Sequence, residues 1–282
     1  IRLAFFMNLI FTIIEFVGGF FTNSLAIISD ALHDLGDSFS IGLSWYFEKV
    51  SERERSESFS FGYRRFSLLG ALINAVVLLL GSGLILYRAI PRLIEPQSVD
   101  VPGMLVFAVI GMVVNGIAVL RLRKGKKIHE RVIMLHLLED VLGWFAVLIG
   151  SIIMLFLDAP RIDPILSIGI TLFVLFHVYR NLRQTLRIFL QSTPVGVQAE
   201  EIKTRLLENP VILGVHDIHI WTMDGVYNIG SLHIVVPDDS SRDTIIEVKS
   251  WVRERLESAG IQHATIEFGW ESEECGYSGC TG

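Results

Sequence analysis

Two copies of one short pattern of ionisable residues lie within apolar stretches of this sequence. His33 and Asp37 form the first copy, and His136 and Asp140 form the second. Each is a histidine followed four residues later by an aspartate, a spacing that places both side chains on one face of an α-helix. Two imidazoles and two carboxylates are enough for one tetrahedral zinc site. The pattern therefore predicts a metal ion held between two helices.

The apolar setting of these residues strengthens the prediction. Ionisable groups are rare in a bilayer core unless they pair, bind an ion or line a pathway. A lone intramembrane histidine or aspartate more often makes a helix-packing hydrogen bond, but one spacing repeated on two helices favours a metal site. Nitrogen and oxygen ligands suit zinc and its neighbours better than copper(I). Two histidines also argue against a magnesium or calcium site, which would use oxygen ligands.

Three acidic neighbours of the repeated pattern have different expected roles. Asp34 follows His33 by about 100° around the helix, so we expect it to face elsewhere. Asp30 precedes Asp37 by seven residues and returns to nearly the same face, where it either lines the approach or caps the helix. Glu139 could support the site from beside the second pattern.

Single polar residues also fall within the other apolar stretches. Asn74 and Asn115 are expected to form packing hydrogen bonds between helices. Glu15 has two readings, a proton carrier or a buried structural group, and the sequence leaves both open.

Long apolar stretches dominate the first two thirds of the chain, and 51% of its 282 residues are hydrophobic. Crossing a bilayer of about 30 Å takes roughly 20 helical residues. Six stretches meet that length, and they predict a bundle of six transmembrane helices. They lie near residues 3–23, 26–47, 66–90, 102–120, 132–157 and 162–190.

Basic residues are concentrated in alternate links between these stretches. Positive charge marks the cytoplasmic side of a membrane protein, so both termini and the C-terminal part are expected in the cytoplasm. The basic positions follow the second, fourth and sixth stretches: Lys49, Arg53, Arg55, Arg64, Arg65, Arg121, Arg123, Lys124, Lys126, Lys127, Arg131, Arg180, Arg183 and Arg187.

The C-terminal part differs in kind from the apolar part. Residues 195–282 carry 6 basic and 15 acidic side chains, whereas residues 1–194 carry 18 and 15. Such acidity attracts cations and argues against binding to nucleic acid. We therefore expect a transmembrane domain over 1–190, a cytoplasmic domain over 191–271 and an acidic tail over 272–282.

The cytoplasmic domain has the element order α-β-β-α-β, which favours a two-layer α+β fold. Asp224-Gly225 predicts a hairpin turn between the first two strands. Ser240 or Ser241 is expected to cap the second helix. The expected helices cover 198–208 and about 241–258, and the expected strands cover 214–223, 227–236 and 261–268.

Several motifs together resemble the cation diffusion facilitator family of zinc transporters. They are SDALHDLGDS, FGYRR, LHLLEDVLGW, DPILSIGI, LQSTP and GVHDIHIW, and they span nearly the whole chain. The resemblance implies a ferredoxin-like cytoplasmic domain and a homodimer that exchanges cytoplasmic zinc for protons by alternating access. By the same resemblance the transport site is His33, Asp37, His136 and Asp140, and a histidine at the first position goes with zinc or cadmium.

The resemblance also implies a second zinc site in the cytoplasmic domain, made by His216, His233 and Glu267. The alternative is that each strand histidine is half-buried and satisfied by hydrogen bonds. Alternation along a strand places His216 and His219 on opposite faces, so both should not join one site without a distortion. The chain has only two cysteines and both lie in the tail, so we expect no framework of disulfide bonds.

Those cysteines, Cys275 and Cys280, are either the remaining ligands of a zinc site across the dimer or spare thiols. Their C-x₄-C spacing is looser than a usual zinc knuckle. Other metal-binding features of the family are not expected here. The link SERERSESFSFGYRR has no histidine, and RLRKGKKIHE has only His129.

Two other functional classes remain open at this stage. An intramembrane metalloenzyme is disfavoured because no HExxH motif occurs in the apolar part. A sensor that binds zinc without moving it would use the same ligands. The sequence does not choose among zinc, cadmium and cobalt as cargo. The short loops favour a bacterial inner membrane.

Overall fold

The computed structural model describes residues 2–51, 53, 55–122 and 128–273, except for the side chains of a few helical residues, those of 128–136 among them. Six long helices make up the apolar part of the described chain. They are α1 (Arg2–Thr22), α2 (Leu25–Ser51), α3 (Phe66–Ile94), α4 (Val101–Leu122), α5 (Ile128–Leu157) and α6 (Ile162–Phe189).

Within the described residues, three of these helices contain a segment long and apolar enough to cross a membrane. These are α3, residues Leu137–Leu157 of α5, and α6. Shorter apolar segments occupy Asn8–Thr22 of α1 and Val101–Ile117 of α4. The acidic residues of α2 lower its apolar character, so the expected count of six spans stays a prediction.

The turn between α1 and α2 is fixed by its neighbours. Asn23 adopts a left-handed backbone conformation with φ of 55°, which reverses the chain within two residues. Arg92, in the last turn of α3, donates to the carbonyl oxygen of Asn23 at 2.9 Å and to its side-chain oxygen at 2.7 Å. The side-chain Nδ2 of Asn23 donates to the carbonyl oxygen of Ser98 at 2.8 Å. The start of α2 is therefore tied to the end of α3.

Apolar packing holds α2 between two clusters of buried side chains. On one side Ala26 and Ile27 pack with Trp144 and Val147 of α5 and with Met104 of α4. On another side Leu32 of α2 belongs to a cluster with side chains of α3 and α6, namely Ala75, Leu78, Ile85, Val174 and Val178. The helix that carries the first His-Asp pair thus contacts four other helices, α3, α4, α5 and α6, through its apolar side chains.

The chain divides into two compact units. One consists of residues 1–49 and 69–182, and the other of residues 50–68 and 183–282. The second unit therefore includes the link between α2 and α3, which is remote in sequence from the rest of it.

The elements of the C-terminal part follow the expected order α-β-β-α-β. They are α7 (Ala199–Leu206), β1 (Gly214–Thr222), β2 (Asn228–Val236), α8 (Arg242–Ser258) and β3 (His263–Trp270). The strands form one sheet in the order β1-β2-β3, with β1 antiparallel to β2 and β2 parallel to β3. The parallel pair requires the crossover that α8 provides. Buried side chains of α7, α8, β1 and β2 form the core of this fold, and partly buried side chains of β3 pack against it.

Two predicted local signals are confirmed in this unit. Asp224 stabilises the hairpin turn because its Oδ1 accepts from the amides of Val226 at 2.9 Å and Tyr227 at 2.7 Å. Gly225 adopts φ of 94°, which a glycine takes without steric cost. Ser241 caps α8, and its hydroxyl accepts from the amide of Thr244 at 3.1 Å.

The α2–α3 link contacts the hairpin and β3 within the second unit. The Arg64 guanidinium lies 4.2 Å from the centre of the Tyr227 ring, and its Nη1 lies 3.6 Å from Asp224 Oδ2. Phe61 meets the His263 ring edge-on, with 5.6 Å between centroids. Both oxygens of Asp224 are therefore used, one within the turn and one toward the link.

Candidate metal transport site

Helix α2 brings the first predicted pair together one turn apart. His33 Nε2 lies 3.8 Å from Asp37 Oδ2. From α5, Asp140 Oδ1 lies 3.7 Å from the same nitrogen. The three side chains are 15%, 26% and 8% exposed, respectively. Three of the four predicted ligands therefore converge in a largely buried position between two helices.

The distances between these ligand atoms are slightly longer than the distances between the ligand atoms of a zinc site. Ligand atoms about 2.1 Å from a tetrahedral zinc ion are about 3.4 Å apart. Among the described residues, no group of three or more His, Cys, Asp or Glu side chains is already drawn together closely enough to hold a metal. His136 lies in α5 one turn before Asp140, but its side chain is outside the described part.

Asp30 extends the acidic character of this region toward the start of α2. It is only 4% exposed and lies more than a turn inside the helix, where Ser24 already caps the first turn. A Cβ placed at Gly143 of α5 would come 3.3 Å from Asp30 Oδ1. The glycine thus leaves room for the carboxylate between α2 and α5. Of its two expected roles, the buried position favours lining the approach over capping.

The remaining polar residues around the site divide into buried and exposed groups. Glu15 of α1 and Asp34 of α2 are buried, at 1% and 5% exposure, whereas Glu139 of α5 is exposed. Asn74 of α3 donates to the Ser40 hydroxyl of α2 at 2.8 Å. The expected packing role of Asn74 is therefore confirmed, and the exposure of Glu139 does not favour a supporting role.

A row of hydroxyl groups joins α2 to α6 above the site. Ser29 and Ser167 share a hydrogen bond of 2.6 Å between their hydroxyl oxygens. Thr171 donates to Ser29 at 3.4 Å. One turn below Ser29, the His33 ring meets Phe173 edge-on with 6.5 Å between centroids. Sequence analysis missed this row, although the four-residue spacing of Ser167 and Thr171 on one helix face was a usable signal.

The cytoplasmic sheet places the second predicted set of ligands side by side. His216 of β1 is opposite His233 of β2, which is opposite Glu267 of β3. His233 Nε2 lies 3.0 Å from Glu267 Oε2, and the two histidine rings are 5.4 Å apart. The three side chains therefore share one face of the sheet. Cys275 and Cys280 lie outside the described residues.

A bulge in β1 corrects the expectation that His216 and His219 face opposite ways. His216 pairs with His233, and His219 pairs with Ser231, so three residues of β1 span two of β2. Asp217 takes up the extra residue with φ of 52°. The prediction was wrong because it assumed strict alternation, which a bulge interrupts. Both histidines consequently lie on the same face.

Asp217 itself becomes part of this cluster. Its Oδ1 lies 2.8 Å from His219 Nε2, and its Oδ2 lies 3.6 Å from His233 Nε2. Partial burial, and then the nearby His233, lower the pKa of His216. A lowered pKa keeps the imidazole neutral near pH 7, the form that binds metal.

Two consecutive parts of the chain match known protein families. Residues 1–190 match the cation efflux transmembrane domain, and residues 194–267 match the cytoplasmic domain of cation efflux proteins. The chain belongs to the cation diffusion facilitator family. The resemblance noted from the motifs is therefore confirmed.

Three relatives in this family cover most of the chain. The cadmium, cobalt and zinc/H(+)-K(+) antiporter of Bacillus subtilis is 32% identical over 96% of this chain and 88% of its own. The metal cation efflux system protein CzcD of Cupriavidus metallidurans is 31% identical, covering 95% and 85%. The zinc transporter ZitB of Escherichia coli is 31% identical, covering 93% and 84%.

Membership of the cation diffusion facilitator family identifies the chain as a multi-pass membrane transporter of divalent metal cations. It also favours a transporter over the enzyme considered from the sequence. The cytoplasmic-domain match fits the expected homodimer.

Proposed function

We propose that this protein exports zinc, and with it cadmium or cobalt, in exchange for protons through a site made by His33, Asp37, His136 and Asp140. The observation that carries the proposal is the convergence of Asp37 and Asp140 on His33 Nε2, at 3.8 and 3.7 Å. The names of the relatives, an antiporter among them, support both the cargo and the exchange.

Each ligand has a defined task in this proposal. The carboxylates of Asp37 and Asp140 offset the charge of the divalent cation, which otherwise resists transfer from water. His33 supplies a neutral nitrogen ligand between them, and His136 completes four ligands from the neighbouring turn of α5. A contraction of about 0.3–0.4 Å in these two distances would bring the atoms to the spacing of zinc ligands.

Proton exchange follows from the chemistry of the same four metal ligands. Imidazole and carboxylate groups must be deprotonated to bind a metal ion, so binding releases protons. Histidine in general changes its charge between pH 5 and 8. In alternating access the site opens to the cytoplasm to load metal and to the far side to release it, and protons return on the emptied ligands. The expected inner-membrane location, with both termini cytoplasmic, fits this direction.

Zinc uptake into proteoliposomes under an imposed pH gradient tests the proposal. Asp37→Ala and Asp140→Ala should abolish gradient-driven uptake, because each removes a charged ligand. Glu139→Ala is the matched control, since it removes an exposed carboxylate next to Asp140 and should retain uptake. Zinc binding without flux in the wild type would favour the sensor, and unchanged flux in either aspartate variant would rule out the site.

We also propose that the cytoplasmic cluster of His216, His233 and Glu267 binds zinc and stabilises the homodimer. The support is their adjacency on three strands, with 3.0 Å between His233 Nε2 and Glu267 Oε2. Sedimentation of the full-length protein with and without zinc tests this proposal. Zinc should strengthen the dimer in the wild type and not in His233→Ala. An equal response in both would contradict it.

A further inference from the structure

The first turn of α2 obtains its hydrogen-bond partners from α6. A helix leaves its first amides without intrahelical acceptors. The Leu25 amide donates to Asp163 Oδ2 at 2.9 Å, and the Ala26 amide donates to Asp163 Oδ1 at 3.2 Å. The Ile27 amide donates to the Ser24 hydroxyl at 3.3 Å. One carboxylate from another helix therefore satisfies two of these three amides.

Asp163 and Ser24 are buried, so water does not replace these contacts. Both residues are 0% exposed. The Ser24 hydroxyl donates to Asp163 Oδ1 at 2.6 Å, a short hydrogen bond to a carboxylate. Negative charge at a helix N-terminus is also favoured by the helix dipole. Asp163 thus holds the start of α2 through three donors.

The same face of α6 continues along α2 toward the transport site. Asp163, Ser167 and Thr171 follow one another at intervals of four residues, and the last two contact Ser29. Hydrogen bonds from α6 at two levels of α2, its first turn and Ser29, fix both the height and the rotation of α2. Because His33 and Asp37 follow on that rigid helix, their positions depend on where its first turn is held.

We propose that Asp163 is a positioning residue for metal transport. It sets the location of α2, and hence the placement of His33 and Asp37 against Asp140 of α5. Asp163 is not itself a ligand, since nine residues at 1.5 Å each place His33 about 13 Å along the helix from Ser24. The inference rests on the proposed transport site.

The test is the dependence of proteoliposome uptake on zinc concentration. In Asp163→Ala the KM for zinc should rise by about tenfold, as is typical when a group that orients metal ligands is lost. Ser24→Ala removes one of the three donors to Asp163 and should raise the KM less. KM does not depend on the amount of folded protein, so a merely structural role would leave it unchanged.

Asp100→Ala is the matched control. Asp100 also caps a helix, because its Oδ1 accepts from the Gly103 amide in the first turn of α4 at 3.2 Å. Since α4 carries none of the proposed ligands, the KM should stay at the wild-type value. If Asp163→Ala does not fold, the KM values for zinc of Ser24→Ala and Asp163→Glu still test the inference, because each substitution changes the hydrogen bonds that hold the start of α2.

Two results would separate the inference from the proposed function. A wild-type KM in both Asp163→Ala and Ser24→Ala, with His33→Ala inactive, would overturn the positioning role and leave the transport site intact. Normal uptake in His33→Ala would instead overturn the site, and the inference would fall with it.

Discussion

Single residues in the cytoplasmic sheet determine which side chains can contribute to one metal site. Asp217 occupies the bulge in β1 and contacts both His219 and His233. Its carboxylate adds negative charge beside the proposed zinc ligands. The bulge thus brings His216 and His219, which strict alternation would place on opposite faces, onto one face of the sheet.

Asp217→Asn should weaken zinc binding by the cytoplasmic cluster by about tenfold, because the charge beside the ligands is removed. Asparagine tolerates the left-handed backbone at this position, so the bulge should persist. Zinc titration of full-length protein carrying Asp37→Ala isolates this cluster from the transport site. Asp239→Asn, an exposed change in the same unit, is the control. Equal affinities in the two variants would contradict the prediction.

Contacts between single residues were predictable from the sequence where the residues lie close together along the chain. His33 and Asp37 form a local pattern, so helix geometry alone predicted their adjacency. Asp140 was paired with them through the repeated spacing. By contrast, Asp163 and Ser24 are separated by 139 positions, and no local pattern connects a serine at one helix start with an aspartate at another.

Among the helices, close approach of α4 and α5 depends on a glycine. A Cβ at Gly111 of α4 would overlap ring atoms of Trp144 on α5. Trp144 is 1% exposed and follows Asp140 by one turn. The packing that seats this ring therefore also supports the helix that presents a proposed ligand.

Gly111→Ala should destabilise the protein by about 1–3 kcal/mol, because the added methyl group overpacks the contact with Trp144. Thermal unfolding in detergent should show a lower Tm. Gly116→Ala on the same helix is the matched control, since no atom lies within 4 Å of its added Cβ. An equal Tm for the two variants would show that the α4–α5 contact adapts freely.

The ends of the helices and strands lie close to those predicted from hydropathy and turn signals, but most of the six long helices are longer than predicted. All six predicted stretches correspond to helices, and five of those helices extend beyond the apolar segment because flanking polar residues continue the helical backbone. β3 starts at His263 instead of 261, since its first pairing partner on β2 is Ile229. Strand ends depend on the partner strand, which hydropathy does not report.

For the whole molecule, the assignment of residues 50–68 to the cytoplasmic unit links parts of the chain that the sequence separates. Arg64 and Phe61 make the contacts with the hairpin and with β3. The link is continuous with α2 at one end and with α3 at the other. In the sequence this link is recognisable only as a basic loop without metal ligands.

Arg64→Ala should release the link and speed its cleavage by trypsin at the remaining basic residues. The lost ion pair and cation–π contact are together worth about 1 kcal/mol at a partly exposed site, which corresponds to about fivefold more of the open form. Arg205→Ala, which removes an exposed ion pair with Glu201 on α7, is the control. Unchanged cleavage of the link in Arg64→Ala would contradict this prediction.

The capping of α2 by Asp163 also has a consequence for biosynthesis. Ser24 leaves the ribosome 139 residues before its partner, a delay of about 7–28 s at 5–20 residues per second. During that interval the first amides of α2 lack their acceptor, and unsatisfied amides are costly in lipid. The nascent α2 must therefore keep its first turn hydrated or within the insertion machinery until α6 arrives.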